Sequence, residues 1–317
     1  MIGYLIRRVI QAIVVVLGVL LIVFLLAQII PGGEARAVLG TKATASKIHQ
    51  FDVLNGFTLP IWDQFYQYLV RLIVHQNLGY SYSYNQTVTT LISDKLPKTL
   101  VLVGFSTILA LVISIPLGIL QVVRRNKPVD YVLTGLSFVF YAMPAFLLGT
   151  LLILYFAIDL KWFPVGFSQS QTVGNILSDP RALVLPEITL AALTIASFSR
   201  YMRSSMMEAM TEDYIRTARA KGAAPRRVLY IHALRNALIP ILTLLGLSIP
   251  AIVSGALITE TVFNYPGMGF LTTEAAFKTD IPVLLGTTLV ATLATVAGSL
   301  LADILYAVAD PRIRYAR

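Results

Sequence analysis

The sequence predicts an all-α polytopic membrane protein with six transmembrane helices. Of its 317 residues, 56% are hydrophobic and 13% are charged, whereas soluble domains carry about 25% charged residues. The mean hydropathy is +0.75. The apolar residues are gathered in runs long enough to cross a bilayer as helices, which takes about 20 residues. Polar residues are concentrated in a few segments between these runs.

The first apolar run, 9–30, is predicted to be a retained transmembrane helix, TM1. It follows a basic flank that contains Arg7 and Arg8. It is longer than the roughly 7–15 apolar residues of a signal-peptide core. Residues 1–30 are therefore assigned to an N-terminal tail and TM1.

The chain after TM1, 31–96, predicts a small extracytoplasmic subdomain. It carries charged residues, amides and a tyrosine cluster at Tyr80, Tyr82 and Tyr84. Within it, 61–74 has aromatic residues at helical spacing but is too short to span a bilayer, so we expect a helix that lies on the membrane surface. Its aromatic residues are expected to pack as a cap over the bundle, with a ligand site as the alternative.

Residues 97–317 are predicted to form a core with five further spans. A kink is expected in TM3 at Pro144, because proline cannot donate the helical hydrogen bond. The predicted segments are TM2 at 97–121, TM3 at 128–158, TM4 at 185–207, cytoplasmic helices at 207–235, TM5 at 236–258, an external loop at 259–281, TM6 at 282–308 and a cytoplasmic tail.

The distribution of lysine and arginine predicts the orientation of the chain in the membrane. These residues are dense in the short segments 124–127 and 200–235 and in the C-terminal tail, and they are sparse in the segments on the other side. The positive-inside rule therefore places both termini and 207–235 in the cytoplasm and 31–96 outside. The same bias accounts for the net charge of +9, so no nucleic-acid partner is expected.

Several kinds of chemistry lack the residues they need. The chain has no cysteine, which excludes disulfides and thiolate metal sites, and its histidines are scattered. No GxxxxGK[ST] phosphate loop occurs, so ATP is not expected to bind this chain in the Walker manner. Among charges inside the predicted spans, Glu187 and Asp303 are expected to be interfacial or paired with a neighbouring helix. A secondary transporter or an intramembrane enzyme would need more such groups.

The segment 206–240 is a long charged stretch between two apolar runs. Apolar residues recur in it at helical spacing and predict one buried stripe. On another face, Glu212 and Arg216 are spaced to form an i,i+4 ion pair. The stripe consists of Met207, Met210, Tyr214 and Ala218.

Two residues predict how this segment folds. Gly222 is expected to end the helix that carries the stripe, because glycine tolerates the left-handed conformation found after helix C-termini. Pro225 is expected to begin a second helix, because proline suits the first helical turn. Two cytoplasmic helices joined by a tight turn favour a docking element for a cytoplasmic partner over a solvated loop.

The same segment resembles a known family. Residues 213–222 read DYIRTARAKG and residues 232–236 read HALRN, which resembles the coupling motif of ABC importer permeases, in the dipeptide, oligopeptide and nickel branch. The general motif has Glu and Pro at the positions of Arg216 and Arg235, and that departure is usual for the peptide branch. Further runs that resemble this branch lie at 4–8, 31–32, 96–100, 260–263, 266–269, 280–282 and 310–314.

The resemblance implies a type I ABC importer permease fold and a pore-forming subunit of an ATP-driven, binding-protein-dependent importer of di- or oligopeptides. The expected partners are a second homologous permease subunit, two cytoplasmic ATPase subunits that hold ATP and Mg, an extracytoplasmic substrate-binding protein and the lipid of a bacterial or archaeal cytoplasmic membrane. The chain itself is expected to be no enzyme and to hold no cofactor. Nickel or glutathione is the alternative cargo.

The resemblance also implies which residues act. A helix at 207–221 would seat in a groove on an ATPase and move TM4 and TM5. The coupling residues implied are Glu208, Tyr214, Arg216, Ala218, Lys221, Gly222 and Arg235. The loop 259–281 is expected to form either a folded external gate or a simple hairpin. Its candidate residues are Glu260, Pro266, Gly267 and Gly269.

Overall fold

The computed structural model describes residues 2–29, 33–40 and 43–309. The expected motifs at 31–32 and 310–314, and the side chain of Asp303, lie outside this description. The α-helices of the described chain are α1 Ile2–Gln28, α2 Gly33–Leu39, α3 Ala45–Asn55, α4 Ile61–Ile73, α5 Val88–Val123, α6 Pro128–Ala142, α7 Ala145–Leu152, α8 Val173–Ser178, α9 Pro180–Ala209, α10 Asp213–Ala220, α11 Pro225–Arg227, α12 Leu234–Ser254, α13 Leu257–Val262, α14 Met268–Lys278 and α15 Ile281–Ala309. Two short strands, β1 Tyr80–Ser81 and β2 Gln86–Thr87, form a hairpin. Two segments are π-helical, the first at Ile153–Asp159 and the second at Val228–Ala233.

Long apolar helices dominate the described structure. Five of them are long and apolar enough to cross a membrane, and α6 with the segment that follows it makes a sixth crossing if the pair is one span. The bend in TM3 lies at Pro144 as predicted, but it is a sharp break between two helices, because Pro128–Ala142 and Ala145–Asp159 meet at 101°. Met143 and Pro144 are both extended at the break, and proline disfavours the helical conformation of the residue before it.

Two helices begin earlier than predicted. TM2 was expected from residue 97, but α5 begins at Val88, where the Thr87 hydroxyl caps the helix by accepting a hydrogen bond from the Thr90 amide at 3.2 Å. TM4 was expected from residue 185, but α9 begins at Pro180, since proline is compatible with a first helical turn. In both cases the first turns are too polar to be recognised as part of an apolar span.

The membrane helices pack side by side. Helix α5 runs along α9, α9 contacts α6 and α12, and α12 packs on α15, which in turn contacts α1. Small residues allow the closest approaches. A Cβ atom on Gly118 of α5 would lie 2.6 Å from the Cβ of Met202 on α9, and one on Gly246 of α12 would lie 2.6 Å from the Cβ of Ala302 on α15. These glycines therefore hold the helix axes close together.

Helix α4 packs as a cap against the ends of two membrane helices. Tyr68 of α4 forms an apolar cluster with Leu20 and Phe24 of α1 and with Leu285 and Leu289 of α15. The β1–β2 hairpin lies nearby and contacts α15 and the start of α5. We call this part of the bundle the hairpin end, and the opposite part, which carries α10, the α10 end.

The contact between α12 and α15 gives a test of the fold. In the Gly246→Ala variant the added methyl group would also lie 2.9 Å from the Cα of Ala302. The helices must then separate, and such overpacking costs about 1–3 kcal/mol. We expect a lower melting temperature in detergent by intrinsic fluorescence.

The matched control is Gly104→Ala on α5, where an added Cβ meets nothing within 4 Å. Alanine favours a helix over glycine by about 0.5–1 kcal/mol, so this variant should melt no lower than the wild type. Equal melting temperatures for the two variants would contradict close packing at Gly246.

Candidate functional site

The coupling segment contains a break that the sequence did not predict. Instead of one helix over 207–221, α9 continues to Ala209 and α10 begins at Asp213. Glu212 between them is extended, with φ −67° and ψ 151°. The Thr211 hydroxyl donates to the Glu208 carbonyl at 2.8 Å and so satisfies one of the acceptors at the end of α9.

The break changes which residues of α10 are buried. Ile215 is fully buried at 0% exposure and Ala218 is buried beside it, whereas Tyr214 is 37% exposed. The predicted stripe is therefore correct at Ala218 and wrong at Tyr214. An uninterrupted helix would have placed Tyr214 in line with Met210. The extended residue at Glu212 rotates the following helix and turns Ile215 inwards instead.

A buried apolar cluster joins α10 to three membrane helices. We call it the α10 cluster, and it consists of Ile119 on α5, Phe198, Met202, Met206 and Ala209 on α9, Ile215 and Ala218 on α10, Val228 and Ala233 in the second π-helical segment, and Ala237 and Ile241 on α12. Side chains from all these elements exclude water from one another. Helix α10 therefore packs on the second π-helical segment and, through the α10 cluster, is connected with the ends of α5, α9 and α12, so it is not a free loop.

Gly222 closes α10 in the way the sequence predicts. Its φ is +78°, a conformation that glycine adopts without steric cost. Its amide donates to the Arg219 carbonyl at 2.9 Å, and the Ala223 amide donates to the Ala218 carbonyl at 3.1 Å. These two bonds are those of a Schellman motif. They satisfy the last carbonyl groups of α10 and turn the chain towards Pro225, which begins α11.

The opposite face of α10 is exposed and mostly basic. The expected Glu212–Arg216 pair is absent among the described contacts, and Arg216 instead contacts Asp213 at 3.2 Å. Both partners are highly exposed, so this pair contributes little stability. The implied coupling residues that remain on the exposed surface are Glu208, Tyr214, Arg216, Lys221, Gly222 and Arg235.

An ion pair near the α10 cluster was not predicted. Asp130 at the start of α6 is 2% exposed. It accepts hydrogen bonds from Nε and Nη2 of Arg203 on α9 at 2.9 and 3.0 Å and from the Asn126 amide at 3.1 Å. A paired guanidinium and carboxylate fix both distance and orientation. The only signal in the sequence was a carboxylate and an arginine at the ends of apolar runs.

The hairpin end contains a buried carboxylate with several hydrogen-bond partners. Glu260 on α13 is 0% exposed. It accepts hydrogen bonds from the Thr99 hydroxyl at 3.0 Å, the Ala256 amide at 3.2 Å and the Phe270 amide at 2.9 Å. Thr99 in turn accepts from the Met268 amide at 2.7 Å. Glu260 therefore connects α5, α13 and α14.

Glycines make room for this carboxylate. A Cβ atom on Gly267 would overlap the Glu260 carboxylate, and a Cβ on Gly269 would lie 2.8 Å from the Cα of Leu257. Pro266 is buried next to them. The structure thus brings together the candidate residues of the predicted loop 259–281. The alternative prediction of a simple hairpin is wrong, because residues 259–281 contain the end of α13 and all of α14.

Glu187 on α9 was expected to be interfacial or paired with a neighbouring helix, and it is unpaired among the described residues. Both oxygens of its carboxylate are buried, and neither has a hydrogen-bond partner in the described structure. Within the same residues, no group of three or more His, Asp or Glu side chains could hold a metal ion.

Comparison with known proteins identifies the family. Residues 114–315 match the model described as the binding-protein-dependent transport system inner membrane component, and residues 1–103 match its N-terminal counterpart. The chain belongs to this family. It is thus a permease subunit of an ABC importer, and the resemblance seen in the coupling motif is confirmed.

Two relatives that align with the chain over almost its full length are named as peptide transport permeases. The chain is 39% identical to the oligopeptide transport system permease protein AppB of Bacillus subtilis, with 99% of this chain and 100% of the relative covered. It is 35% identical to the di/tripeptide transport system permease protein DppB of Pseudomonas aeruginosa, with 100% of each chain covered.

Removing the Ile215 side chain should loosen α10. Truncating a fully buried isoleucine to alanine costs about 2–5 kcal/mol. The Ile215→Ala variant should therefore exchange the amide hydrogens of 215–223 at least about tenfold faster than wild type, measured by mass spectrometry. The control is Arg219→Ala on the exposed face. Equal exchange in wild type and Ile215→Ala would show that α10 does not depend on the α10 cluster.

Removing the Glu260 carboxylate should destabilise the hairpin end. Glu260→Ala leaves the Ala256 and Phe270 amides without their acceptor, at about 1–3 kcal/mol for each buried donor. We expect a lower melting temperature in detergent. Glu208→Ala is the matched control, because Glu208 is exposed and surface substitutions change stability by about 0.5 kcal/mol or less. If the two variants have the same melting temperature, the hydrogen bonds of Glu260 do not stabilise the hairpin end.

Proposed function

We propose that this chain is the pore-forming subunit of an importer for di- or oligopeptides, and that α10 receives the force of ATP hydrolysis. The observation that carries the proposal is the α10 cluster. It attaches a short helix with an exposed basic face to the ends of α5, α9 and α12. A partner that moves α10 must move these three helices with it, because packed side chains resist separation.

The proposed partners follow from the family. The pore is completed by a second homologous permease subunit, and substrate is delivered by an extracytoplasmic binding protein. Two cytoplasmic ATPase subunits bind ATP and Mg, and each permease subunit seats its α10 on one of them. The basic α10 end then faces the cytoplasm together with both termini, in agreement with the positive-inside rule, and the hairpin end faces outwards.

The proposed mechanism is alternating access by rigid-body motion. Closure of the ATPases displaces α10, and the α10 cluster transmits the displacement to α5, α9 and α12. Helix α5 extends over 36 residues to the hairpin end, where Thr99 bonds to Glu260. Movement of α5 therefore also acts on α13 and α14, which we propose form the external gate.

Peptide is the proposed cargo because of the names of the full-length relatives. The relative from Bacillus subtilis is named for oligopeptide transport, and that from Pseudomonas aeruginosa for di/tripeptide transport. A putative peptide permease of Brucella suis is 36% identical, with 99% of each chain covered. No described feature favours nickel over a peptide, since no metal-ligand group is present in the described residues.

Uptake of a labelled tripeptide tests both the proposed peptide cargo and the proposed coupling role of the Gly222 turn. Cells that express the complete transporter should accumulate the peptide, and the Gly222→Pro variant should reduce uptake by about tenfold or more. Proline fixes φ near −65° and has no amide hydrogen, whereas Gly222 has φ +78° and donates to Arg219.

The matched control is Gly222→Asn, because asparagine tolerates the left-handed conformation and keeps the amide. It should retain most of the uptake, and immunoblotting should show equal membrane levels for all variants. Normal uptake with Gly222→Pro would refute the coupling role of the turn. Absence of peptide uptake by the wild type would refute the cargo.

A further inference from the structure

An arginine lies on the surface of the bundle between α6 and α9. The guanidinium of Arg200 on α9 stacks over the rings of Phe138 and Tyr141 on α6, at 4.7 and 4.6 Å from their centroids. It makes no hydrogen bond or ion pair with another described residue. By contrast, Arg203, one turn further along α9, binds Asp130. The charge of Arg200 is therefore left without an anion in the described part of the chain.

Arg200 lies at the depth of the apolar layer of the bundle. Helices α5 and α9 both run towards the α10 end, and Gly118 of α5 lies against Met202 of α9. Beyond this contact α5 continues to Val123, and its Leu120 and Val123 side chains are apolar and exposed. Exposed apolar side chains on a membrane helix indicate contact with lipid tails. The apolar layer therefore extends past the level of Arg200.

The Arg200 side chain extends away from the α10 end. The hydroxyl oxygens of Ser137 on α6 and Ser199 on α9 lie 3.3 Å apart, which places these two residues at one level. Because α6 begins near the α10 end, Phe138 and Tyr141 come one and four residues further from that end than Ser137. A long cationic side chain in contact with lipid turns towards the nearer water. Arg200 points the opposite way, deeper into the bundle.

Polar side chains surround Arg200 on the exposed side of α9. With it they form what we call the α9 face, which consists of Ser197, Arg200, Tyr201, Ser204 and Glu208. These residues recur at helical spacing and are exposed or half-buried. The exposed side of α5 between residues 100 and 123 is entirely apolar, as contact with lipid requires. The α9 face is not suited to lipid, because polar and charged side chains are costly there.

The ring contacts leave the hydrogen-bonding groups of Arg200 free. Phe138 and Tyr141 hold the guanidinium through their π-systems, so its five N–H donors remain available. A guanidinium binds a carboxylate through two parallel hydrogen bonds. At this depth the charge needs an anion or water to be stable. The α9 face thus presents a positioned cation to an anion from outside the described chain.

We propose that the α9 face lines the transport pathway and that Arg200 binds the terminal carboxylate of the peptide as it passes. The hydroxyl groups of Ser197, Tyr201 and Ser204 then serve the peptide groups as donors and acceptors. The carboxylate is common to all peptides with a free C-terminus, so one arginine serves cargo of many sequences. This proposal rests on the proposed peptide cargo and second permease subunit, and it adds a residue that recognises the cargo within the pore.

Two other occupants would satisfy the Arg200 charge. One is a carboxylate of the second permease subunit, and the other is the phosphate of a lipid. Both would cover the α9 face and exclude water from it, whereas a transport pathway admits water. Access of a water-soluble reagent to this face therefore separates the pathway from these alternatives.

The chain has no cysteine, so a single introduced cysteine reports on one position. Ser197→Cys lies one turn from Arg200, with about 5–6 Å between Cβ atoms. In the complete transporter, a membrane-impermeant methanethiosulfonate should label it at least about tenfold faster than Phe105→Cys on the apolar side of α5, because thiolates form in water. The mass gain of this chain is measured. Trialanine, added during ATP-driven uptake, should slow labelling of Ser197→Cys several-fold, and trialanine amide, which lacks the carboxylate, should slow it much less.

A second substitution assigns the effect to Arg200. In the Ser197→Cys background, Arg200→Gln should weaken protection by trialanine about tenfold, while labelling without peptide persists. Arg200→Lys keeps the charge without the two-bond geometry and should retain part of the protection.

Three results would overturn the proposal. Labelling of Ser197→Cys as slow as that of Phe105→Cys would mean that lipid or the second subunit covers the α9 face. Equal protection by trialanine and its amide would remove the carboxylate from the interaction, and unchanged protection with Arg200→Gln would remove Arg200. Uptake of trialanine by the wild-type transporter is measured alongside. Normal uptake with any of these results refutes this site alone, whereas absence of uptake refutes the proposed cargo and this site with it.

Discussion

The contact on which the rest of the structure depends is the burial of α10 in the α10 cluster, which also contains residues at the ends of α5, α9 and α12. Helix α10 has 8 residues, and a helix this short is unstable alone in water. Its geometry therefore comes from Ile215 and Ala218, which are buried in the α10 cluster, and from the Gly222 turn. Because the same contacts shape α10 and connect it to the bundle, a partner cannot displace α10 without straining the membrane helices.

Two polar connections extend this constraint along the bundle. Near the α10 end, Arg203 of α9 binds Asp130 of α6 through two hydrogen bonds. At the hairpin end, Thr99 of α5 binds Glu260 of α13. Polar bonds between helices are directional, so they fix rotation as well as distance. The apolar cluster and these bonds together connect α5, α6, α9 and α13.

Much of the fold could be predicted from the sequence, because membrane crossing depends on local composition. Gly222 was also predictable, since a helix stop is a local property. The position of the bend between α6 and α7 was predicted from Pro144, but its angle of 101° was not, because a single proline is compatible with several geometries. The break at Glu212 was not predicted, because an extended residue there leaves no signal in the sequence. The partners of Glu260 could not be predicted either, since Thr99 lies 161 residues away in the chain and only tertiary packing brings them together.

The hairpin end is held together largely by polar groups that are satisfied within the chain. Glu260 is surrounded by donors, Tyr84 donates to Glu274 at 2.5 Å, and Ser81 donates to Asp280. These buried groups are satisfied within the chain and stabilise it. Tyr68 differs, because its hydroxyl is buried and has no hydrogen-bond partner among the described residues. An unsatisfied buried hydroxyl is costly. The packing of the Tyr68 ring against Leu20, Phe24, Leu285 and Leu289 therefore has to offset that cost.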